Sequence, residues 1–305
     1  MRALVLGGNG FIGSHIVDKL LVEGHDVRVF DLGEENYRKP LDKVDYLYGD
    51  FGNRGLLTNA LKGVQTVFHL ISTTLPETSN EDPIFDVHSN VAETIFLLEQ
   101  CVAQQINKIV FISSGGTVYG IPGHTPVSED NPTNPLCSYG ITKLMIEKYL
   151  HLFKHLYSLD YVVIRPSNPY GDRQNPSGIQ GAISVFLGKV ARGMPIEIWG
   201  DGGVVRDYIF IDDLVEGIYK SSITDSKNKV FNLGSGIGSS IKEILGAIKN
   251  VTDTDVDIIY MNSRTLDVPE IYLDIARARS ELSWSPKTSL EEGLAKCWKF
   301  VKQVA

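Results

Sequence analysis

Residues 4–15 read LVLGGNGFIGSH, an apolar run that passes through a glycine-rich turn into a helical pattern. Gly7, Gly10 and Gly13 recur at intervals of three, and Gly8 extends the match to the fingerprint of dinucleotide-binding turns. Glycine permits the tight turn and brings backbone N–H groups against a pyrophosphate, whose charge the N-terminus of the following helix stabilises. The stretch therefore predicts a first strand, a phosphate-binding turn and a first helix.

An acidic residue follows at the position that selects the cofactor. Asp31 ends the next apolar run, DVRVFD, about 20 residues after the glycines. A carboxylate there can bind both hydroxyls of the adenosine ribose and repels a 2′-phosphate, so we expect NAD rather than NADP. Gly33 nearby leaves open that Asp31 is a turn residue. Asp50, after the third apolar run, is placed either to contact the adenine or to cap a helix.

Apolar, β-branched runs alternate with helical patterns over the first half of the chain. The predicted strands are ALVLGG, DVRVFD, VDYLYGD, TVFHLIS, KIVFISS and DYVVIRP. The predicted helices are SHIVDKLLVEG with Gly24 as C-cap, residues 90–104, and LMIEKYLHLFKHLY. Strands buried on both faces are apolar throughout, and parallel strands need crossover helices. The pattern predicts an α/β fold with a Rossmann-type, doubly wound parallel sheet.

The rhythm changes after about Arg165, where prolines and glycines become frequent in RPSNPYGDRQNPSG and RGMPIEIWGDGG. We expect residues 1–165 to form the NAD-binding domain, to which some later segments return. Residues 166–305 then form a smaller C-terminal α/β lobe that binds the substrate. Open α/β sheets bind ligands at the carboxyl ends of their strands, so we expect the cleft there.

Charge and cysteine usage exclude several classes of partner. The formal net charge of the 305-residue chain is −8, which disfavours nucleic acid, because phosphate backbones need clustered Lys and Arg. The three cysteines, Cys101, Cys137 and Cys297, show neither a paired pattern nor metal-ligand spacing. We therefore expect thiols in a reducing compartment, without a disulfide or a metal site.

The ends of the chain and its apolar runs bear on location. The N-terminus enters the glycine motif within a few residues and lacks the shape of a signal peptide. No apolar run approaches the roughly 20 residues that a membrane-spanning helix needs. The expectation is a cytoplasmic protein.

Two later stretches carry candidate chemistry. SYGITK places Tyr139 and Lys143 four residues apart, on one face of a helix. A nearby ammonium and a positive nicotinamide ring favour the phenolate, which lowers the tyrosine pKa towards that of a usable base. The stretch FISSGGTVYG, residues 111–120, ends a predicted strand in hydroxyl groups and glycines. Such a run is either an ordinary strand exit or a surface that presents hydroxyls to a ligand.

Taken together, these motifs resemble a known family. The glycine turn, VYG at residues 118–120, Tyr139-x-x-x-Lys143, RPSNPYG and RDYIFIDDL are similar to those of the extended short-chain dehydrogenase/reductase family. Within it the chain is most similar to the NAD-dependent sugar epimerase/dehydratase group, in particular to UDP-glucose 4-epimerases. The resemblance covers essentially the whole chain.

The resemblance implies an isomerase with tightly bound NAD and a UDP-sugar substrate. The tyrosine at the position of Tyr139 removes the proton of the sugar 4-hydroxyl while C4 passes a hydride to NAD, and the hydride later returns to the other face of a 4-keto sugar. Lys143 tunes Tyr139 and binds the ribose. The cofactor-binding residues that the motifs imply are Gly7, Gly10, Phe11, Ile12, Gly13, Asp31, Asp50, Phe51, Leu70, Ser72, Asn90, Ser114, Tyr139 and Lys143.

The resemblance also implies a binding site for the nucleotide part of the substrate. Asn168 of RPSNPYG matches an asparagine near the diphosphate. Arg206 and Arg264 match arginines that clamp it, and Asp267 lies where a contact to the uridine ribose is expected. Two arginines from distant segments suit a dianion, because each forms charge-assisted hydrogen bonds with it.

One departure from the family pattern concerns the hydroxyl that binds the sugar. Relatives carry Ser or Thr four places before Tyr119, where this chain has Gly115. We predict that Thr117 binds the 4-hydroxyl instead, with Ser114 as a second candidate nearer the cofactor. Strand alternation places Gly115 and Thr117 on the same face, provided that the strand continues that far.

Two further departures concern the sugar. Ala182 stands where relatives have an asparagine contact, and Ile271 stands where a residue gates the 2-substituent. Because isoleucine is smaller than tyrosine, an N-acetyl group could enter. The default substrate pair is UDP-glucose and UDP-galactose, and the N-acetylated pair is the alternative.

Related activities compete with the epimerase interpretation. A 4,6-dehydratase needs an acid and a base immediately before VYG, and a decarboxylase a glutamate in that stretch, whereas this chain has Gly116 and Thr117. A reductase stays open, although Asp31 favours a recycled NAD. A non-catalytic NAD sensor is less favoured, since Tyr139 and Lys143 are both present.

Family analogy also implies a homodimer formed through two helices of each subunit. NVAETIFLLEQC and LMIEKYLHLF supply candidates for those helices. Their apolar residues could equally face the sheet of their own chain.

Overall fold

The apolar runs of the first half form the strands of a central sheet. The computed structural model describes residues 1–263 and 268–304. Seven of the strands in those residues belong to this sheet. They are β1 (Arg2–Leu6), β2 (Asp26–Asp31), β3 (Val44–Tyr48), β4 (Thr66–His69), β5 (Lys108–Ile112), β6 (Asp160–Pro166) and β10 (Val230–Leu233).

The order of these strands is β10-β6-β5-β4-β1-β2-β3. β1 pairs in parallel with both β2 and β4, and β2 with β3, β4 with β5 and β5 with β6 are parallel as well. Every residue of β4 is buried, as expected of a strand covered on both faces. The predicted α/β fold with a Rossmann-type parallel sheet is confirmed.

Helices connect most of the parallel strands, as crossover connections commonly do, whereas residues 32–43 join β2 to β3 without a helix. The helices of the described residues are α1 (Phe11–Val22), α2 (Arg54–Ala60), α3 (Pro83–Asp86), a π-helical turn (Val87–Ala92), α4 (Glu93–Ala103), α5 (Ser138–Tyr157), α6 (Ala182–Ala191), α7 (Ile211–Ile223), α8 (Ile241–Thr252), α9 (Ala276–Glu281) and α10 (Leu290–Val304). Gly24 follows the end of α1 with φ +75° and its N–H bonds to the carbonyl of Leu21, so it terminates the helix as predicted.

The remaining strands are short. They are β7 (Asn168–Tyr170), β8 (Ile196–Trp199), β9 (Val205–Phe210), β11 (Gly238–Ser240), β12 (Ile258–Met261) and β13 (Glu270–Ile271). β9 pairs with β7, β11 and β13, and β8 pairs with β12. All three cysteines are unpaired thiols, as the sequence predicts. None of the helices in residues 1–263 and 268–304 is long and apolar enough to cross a membrane.

The chain divides into two compact units. The first comprises Met1–Gly120, Thr133–Arg165 and Val215–Phe231, and the second the remaining residues from Ile121 to Ala305. The first unit has a core of buried side chains between the central sheet, α2, α4 and α5, among them Phe30, Leu97 and Phe111. Because the strands of this sheet are parallel, the ends of β1, β2, β4 and β5 meet at one edge, where open α/β sheets bind ligands.

Candidate active site

The glycine-rich turn joins β1 to α1 and leaves the start of that helix open to a ligand. Gly7 has φ +82°, a left-handed conformation that glycine adopts without strain. A Cβ on Gly13 would lie 2.0 Å from the carbonyl oxygen of Gly7, so only glycine permits this close approach of helix and turn. The N-cap of α1 is Gly10, which has no side chain to accept a hydrogen bond from the first N–H groups of the helix. The first N–H groups of α1, including those of Phe11 and Ile12, are therefore available to an anion.

Asp31, at the end of β2, is anchored beside this turn. Its Oδ2 accepts a hydrogen bond of 2.8 Å from the N–H of Asn9, and its Oδ1 accepts one of 2.7 Å from the N–H of Leu32. A carboxylate has further lone pairs, so Asp31 can still accept hydrogen bonds from ribose hydroxyls. The glycine cradle and this fixed carboxylate fit the phosphate and adenosine-ribose parts of a dinucleotide.

Asp50 and Phe51 follow β3 and have different roles. The Oδ1 of Asp50 accepts a hydrogen bond of 2.7 Å from the N–H of Gly52, while Asn53 caps α2. Asp50 is therefore a turn residue in the structure, but its exposed carboxylate keeps lone pairs for an adenine amine. The ring of Phe51 is buried against His69, with ring centres 5.2 Å apart, so only the backbone of Phe51 is available to a ligand.

The segment after β4 carries two more predicted cofactor residues, Leu70 and Ser72, and a third, Asn90, binds it from the π-helical turn. Leu70 lies next to Gly7, where a Cβ on that glycine would approach its side chain to 3.5 Å. Ser72 donates a hydrogen bond of 3.1 Å to the carbonyl of Thr74. Asn90 holds the same segment, since its amide oxygen accepts a hydrogen bond from the N–H of Thr73 and its amide nitrogen donates to the Thr73 hydroxyl. Asn90 thus shapes the wall of the site more than it offers groups to a ligand.

Tyr139 and Lys143 lie on the first turns of α5. The Nζ of Lys143 donates a hydrogen bond of 3.0 Å to the carbonyl of Ile112, the last residue of β5. It also lies 5.5 Å from the centre of the Tyr139 ring and 5.0 Å from that of Phe111. The helical spacing predicted from the sequence therefore brings the ammonium beside the phenol, at the carboxyl end of β5.

Burial shifts both groups. It lowers the pKa of Lys143 to about 8, and the carboxylates of Asp86 and Glu147 oppose this by favouring the ammonium. Burial raises the pKa of Tyr139, and Cys137 and Asp86 add to the rise. The direction for Tyr139 is opposite to the one that we expected from Lys143, because burial is the largest influence and Cys137 and Asp86 act in the same direction. A positive ring bound next to the phenol would act in the other direction.

The start of α5 is fixed by a distant loop. The N–H of Ser138 donates to the Oδ1 of Asn80 over 2.9 Å, and the N–H of Tyr139 donates to the Oγ of Ser79 over 3.0 Å. Cys137, the N-cap of α5, forms no side-chain cap within the described residues. Ser79 and Asn80 could not be identified from the sequence, since a cap supplied by another segment leaves no signal before the helix.

A buried ion pair supports α5 one turn after Lys143. The Nη2 of Arg165 lies 2.6 Å from the Oε2 of Glu147, and both side chains are 5% exposed. Ser113 donates a hydrogen bond of 2.5 Å to Glu147, and Arg165 donates one of 2.9 Å to the hydroxyl of Tyr119. This cluster was not predicted either, although an arginine inside the apolar run DYVVIRP is a sign of a buried partner.

The stretch 113–120 leaves the sheet earlier than expected. β5 ends at Ile112, and the N–H of Val118 donates to the carbonyl of Ser114 over 3.3 Å, which closes a helical turn. Strand alternation therefore does not apply to Gly115 and Thr117, because its condition, a strand that continues to Thr117, is not met. Other geometry bears on Thr117. Its Oγ1 is buried, with no hydrogen-bond partner among residues 1–263 and 268–304.

Gly140 brings this stretch close to α5. A Cβ on Gly140 would lie 3.0 Å from the carbonyl oxygen of Thr117 and 3.3 Å from its Cβ. Gly140 immediately follows Tyr139, so its lack of a side chain lets Thr117 pack against the turn that carries the phenol. The hydroxyl of Thr117 and the candidate base thus belong to packed neighbouring segments of the first unit.

In the second unit, Asn168 and Arg206 lie on paired strands. Asn168 donates a hydrogen bond of 2.9 Å from its amide to the carbonyl of Asp207, the neighbour of Arg206 on β9. Arg206 also pairs with Ile271 of β13, and Ile271 is 2% exposed. Ala182 begins α6. The structure thus brings together Asn168, Arg206 and Ile271, whereas the predicted substrate contacts Arg264 and Asp267 lie outside the described residues.

A family model and curated relatives agree with this arrangement. Residues 3–234 match the NAD dependent epimerase/dehydratase family. The chain belongs to that family. It is 36% identical over 311 residues to a UDP-glucose 4-epimerase of Mycolicibacterium smegmatis, with 99% of each chain covered. It is also 32% identical over 307 residues to a dTDP-4-dehydro-6-deoxyglucose reductase of Escherichia coli, covering 98% of this chain and 97% of the relative.

Solved structures with the same fold include ligand complexes. A Thermotoga maritima UDP-glucose 4-epimerase with UDP-glucose has a TM-score of 0.95 at 34% identity, with 99% of each chain covered. A Thermus thermophilus UDP-glucose 4-epimerase complex with NAD has a TM-score of 0.93 at 30% identity, with 100% of each chain covered. A Methanobrevibacter ruminantium UDP-N-acetylglucosamine 4-epimerase in complex with UDP-N-acetylmuramic acid has a TM-score of 0.92 at 30% identity, covering 98% of this chain and 97% of that one.

Proposed function

We propose that the chain is an NAD-dependent nucleotide-sugar 4-epimerase that interconverts UDP-glucose and UDP-galactose through a transient 4-keto sugar. The observation that carries the proposal is the Tyr139–Lys143 pair, whose ammonium lies 5.5 Å from the phenol ring centre and binds the carboxyl end of β5. Membership of the NAD dependent epimerase/dehydratase family supports the same chemistry.

Bound NAD supplies a reversible hydride acceptor. The residues of this chain then have distinct tasks. Tyr139 takes the proton of the sugar 4-hydroxyl and gives it back to the same oxygen after the keto sugar has turned. Because the hydride returns to C4 as well, no net oxidation results. Lys143 stabilises the phenolate and binds the nicotinamide ribose. Thr117, with its unpartnered Oγ1 among the described residues, is our candidate for the hydrogen bond to the 4-hydroxyl.

Cofactor residues are assigned to the first unit. Gly7, Gly10 and Gly13, with the N–H groups of Phe11 and Ile12, are assigned to the pyrophosphate, and Asp31 to the adenosine ribose. The remaining residues that we assign to the cofactor site are Asp50, Phe51, Leu70, Ser72, Asn90 and Ser114. The open N-terminus of α1 supports this assignment, because helix N-termini stabilise phosphate groups.

Substrate residues outside the reacting centre are assigned to the second unit. Asn168 and Arg206 are our candidates for the diphosphate, supported by their positions on paired strands. Arg264 and Asp267 keep their sequence-based assignments to the diphosphate and the uridine ribose. An arginine suits this task, since its guanidinium binds two phosphate oxygens at once.

The N-acetylated substrate pair is the first alternative. It is supported by similarity to a UDP-N-acetylglucosamine 4-epimerase and by Ile271 at the predicted gate, a side chain smaller than tyrosine. A reductase is the second alternative, because one curated relative is a dTDP-4-dehydro-6-deoxyglucose reductase.

We further propose that the protein is a homodimer that uses α4 and α5. Leu97, Leu98 and Ile146 face the core of their own unit, as the alternative interpretation of these helices holds. However, Leu152 and Leu156 of α5 are 41% and 56% exposed. Sedimentation of the purified protein tests this proposal, and a monomer at micromolar concentration would contradict it.

A substrate panel tests the proposed activity. UDP-glucose, UDP-galactose and both N-acetylated sugars are incubated separately with the enzyme, and the epimers are separated by chromatography. We expect interconversion of at least the first pair without added NAD turnover. Tyr139→Phe should reduce the rate by about 100-fold or more, because it removes the general base. Full activity of Tyr139→Phe would show that the mechanism is wrong.

The absorbance of the bound cofactor separates the rival functions. An epimerase should show transient reduction of bound NAD on addition of a UDP-sugar, without net consumption of added cofactor. A reductase should instead consume added NADH or NADPH with a keto sugar. A lack of spectral change with every nucleotide sugar would favour a non-catalytic NAD sensor.

A further inference from the structure

Asp86, the last residue of α3, is a fully buried carboxylate at the base of the proposed site. It is 0% exposed. Its Oδ1 accepts hydrogen bonds from the hydroxyl of Thr74 over 2.5 Å and from the amide of Asn90 over 2.9 Å. Its Oδ2 accepts hydrogen bonds from the hydroxyls of Ser138 over 2.6 Å and Thr142 over 3.3 Å. One carboxylate thus joins the segment after β4, the π-helical turn and the first turn of α5.

The partners of Asp86 satisfy its oxygens but do not neutralise its charge. Among the described residues, every hydrogen-bond donor to this carboxylate is a hydroxyl or an amide. An ionised carboxylate without a buried cation is costly unless a positive charge lies near it. The nearby positive charge is the ammonium of Lys143, whose charged form Asp86 stabilises.

The other groups that face Lys143 do not supply an uncompensated negative charge to balance its ammonium. Glu147 on α5 also stabilises the ammonium, but Arg165 binds Glu147 at 2.6 Å and compensates its charge. His69 on β4 is neutral at working pH, because burial lowers its pKa to about 3. β5 contributes the uncharged carbonyl of Ile112. Tyr139 on α5 is neutral until it loses its proton.

We propose that Asp86 is a positioning residue for the reaction, which fixes the first turn of α5 and supplies the counter-charge that keeps Lys143 an ammonium ion. The proposal deepens the function proposed above and rests on it for the role of Tyr139. The carboxylate acts through Lys143 and Ser138, the residue before the candidate base, and touches neither sugar nor cofactor in this role.

The charge of Asp86 determines the direction of the expected pH effect. A nearby negative charge makes it harder to remove the proton of Lys143 and also harder to ionise Tyr139. Removing that charge therefore lets both protons leave at lower pH. The pKa of Lys143, which is about 8, falls further, and so does the raised pKa of Tyr139. The ionisations of Lys143 and Tyr139 determine the two limbs of the pH–activity profile, so both limbs should shift to lower pH.

The test compares Asp86→Asn with Ser138→Ala as holoenzymes. Asp86→Asn removes the charge at nearly constant volume, and we expect both limbs of the kcat profile to move down by about one pH unit. Ser138→Ala removes one hydrogen bond to Oδ2 and keeps the charge. It should lower kcat by about tenfold through a misplaced Tyr139, without moving either limb. If both limbs of the kcat profile stay at their wild-type pH in Asp86→Asn, Asp86 has only a structural role and the proposal is wrong.

A direct titration of Lys143 keeps the test independent of activity. Protein labelled with ¹³C at the lysine ε-carbons is titrated by NMR, and the Lys143 signal is assigned by its loss in Lys143→Arg. The signal should titrate at lower pH in Asp86→Asn than in the wild type. This result would stand even if no nucleotide sugar were a substrate, so failure of the proposed function and failure of this inference can be told apart.

A second variant covers the case in which Asp86→Asn does not fold. Thermal unfolding and the content of bound NAD report folding for every variant. Asp86→Glu keeps the charge but displaces it by one methylene group, so kcat should fall while the limbs and the Lys143 titration stay in place. A shift of about one unit in Asp86→Glu would overturn the proposed charge effect.

Discussion

Thr117 and Ser114 are two hydroxyl residues in the turn that follows β5, and their environments differ. The Oγ1 of Thr117 is buried without a hydrogen-bond partner within residues 1–263 and 268–304, and its backbone packs against Gly140. A buried hydroxyl that lacks a partner costs stability unless a ligand satisfies it. Ser114 and Thr117 are both partly buried as residues, but the Ser114 hydroxyl is not a buried atom without a partner, and its carbonyl closes the helical turn to Val118. Thr117 is therefore the stronger candidate for the sugar 4-hydroxyl.

The corresponding prediction compares two conservative variants. Thr117→Val should reduce kcat by about 100-fold or more, because it removes a hydrogen bond at the oxygen where charge develops. The unfolding temperature of Thr117→Val should equal or exceed that of the wild type, since the hydroxyl that it removes forms no hydrogen bond within the described residues. Ser114→Ala should cost less than tenfold by the same reasoning. Steady-state kinetics and thermal unfolding check both, and the reverse order of kcat effects would reject Thr117.

The sequence identified individual residues where a local pattern encodes their role. Asp31 and Gly13 belong to a fixed spacing along one strand–turn–helix unit, so their places could be predicted. Asp86 could not, because its partners Thr74 and Ser138 come from segments that only the fold brings together. An aspartate in a helical pattern looks like a solvated surface residue until its burial is known.

At the scale of elements, the strands were predicted more accurately than the helix starts. The six predicted strands all form, within a few residues of their predicted ends. The apolar pattern of α5 starts at residue 144, and only the spacing of Tyr139 and Lys143 places the preceding turn in the helix, which begins at Ser138. The additional turn exists because Ser79 and Asn80 satisfy the first N–H groups of the helix from a distant loop. That turn is the one that carries Tyr139.

Glycine substitutions at the start of α1 should separate folding from cofactor binding. Gly13→Ala should destabilise the protein by several kcal/mol or prevent folding, because its Cβ would lie 2.0 Å from the backbone oxygen of Gly7. Gly10→Ala should fold, since its Cβ would meet the described chain no closer than 3.4 Å. It should nevertheless bind NAD at least about tenfold more weakly, because the methyl group would enter the space that we assign to the pyrophosphate.

The matched control for these variants is Gly33→Ala. A Cβ on Gly33 would have no neighbour within 4 Å among the described residues, and the variant should keep both stability and NAD affinity. Thermal unfolding and calorimetric titration with NAD measure the two properties. Normal NAD affinity in Gly10→Ala would contradict the assignment of the pyrophosphate to this turn.

At the scale of the whole molecule, the sequence predicted the class of fold but not the path of the chain between its units. The strand–helix alternation implies a parallel sheet through crossover geometry, which is a local rule. By contrast, the sequence left open which later segments return to the first unit, where Val215–Phe231 belongs, and it did not indicate that Ile121–Pro132 groups with the second. Long-range packing decides such exchanges, and a change of composition near Arg165 does not encode them.

Removal and return of the cofactor should change the stability of the whole protein. After bound nucleotide is stripped, NAD at 100 times its dissociation constant should stabilise the folded state by about 2.7 kcal/mol. NADP at the same concentration should stabilise it far less, since Asp31 would face the 2′-phosphate. Thermal unfolding with each nucleotide checks this prediction. In Asp31→Asn, the difference between the stabilisation by NAD and that by NADP should be smaller. Equal stabilisation of the wild type by both would contradict the NAD preference.

The π-helical turn Val87–Ala92 has a consequence for how this protein can evolve. Such a turn contains a surplus residue relative to an α-helix, and it separates Asp86 at its start from α4 at its end. Deleting one residue would make the helix regular and would rotate Asp86 by about 100° away from Ser138. Under the role proposed for Asp86, a single-codon deletion could therefore shift the pH optimum without replacing any charged side chain. In this chain a change of length, and not only a substitution, would then alter the charge environment of Lys143.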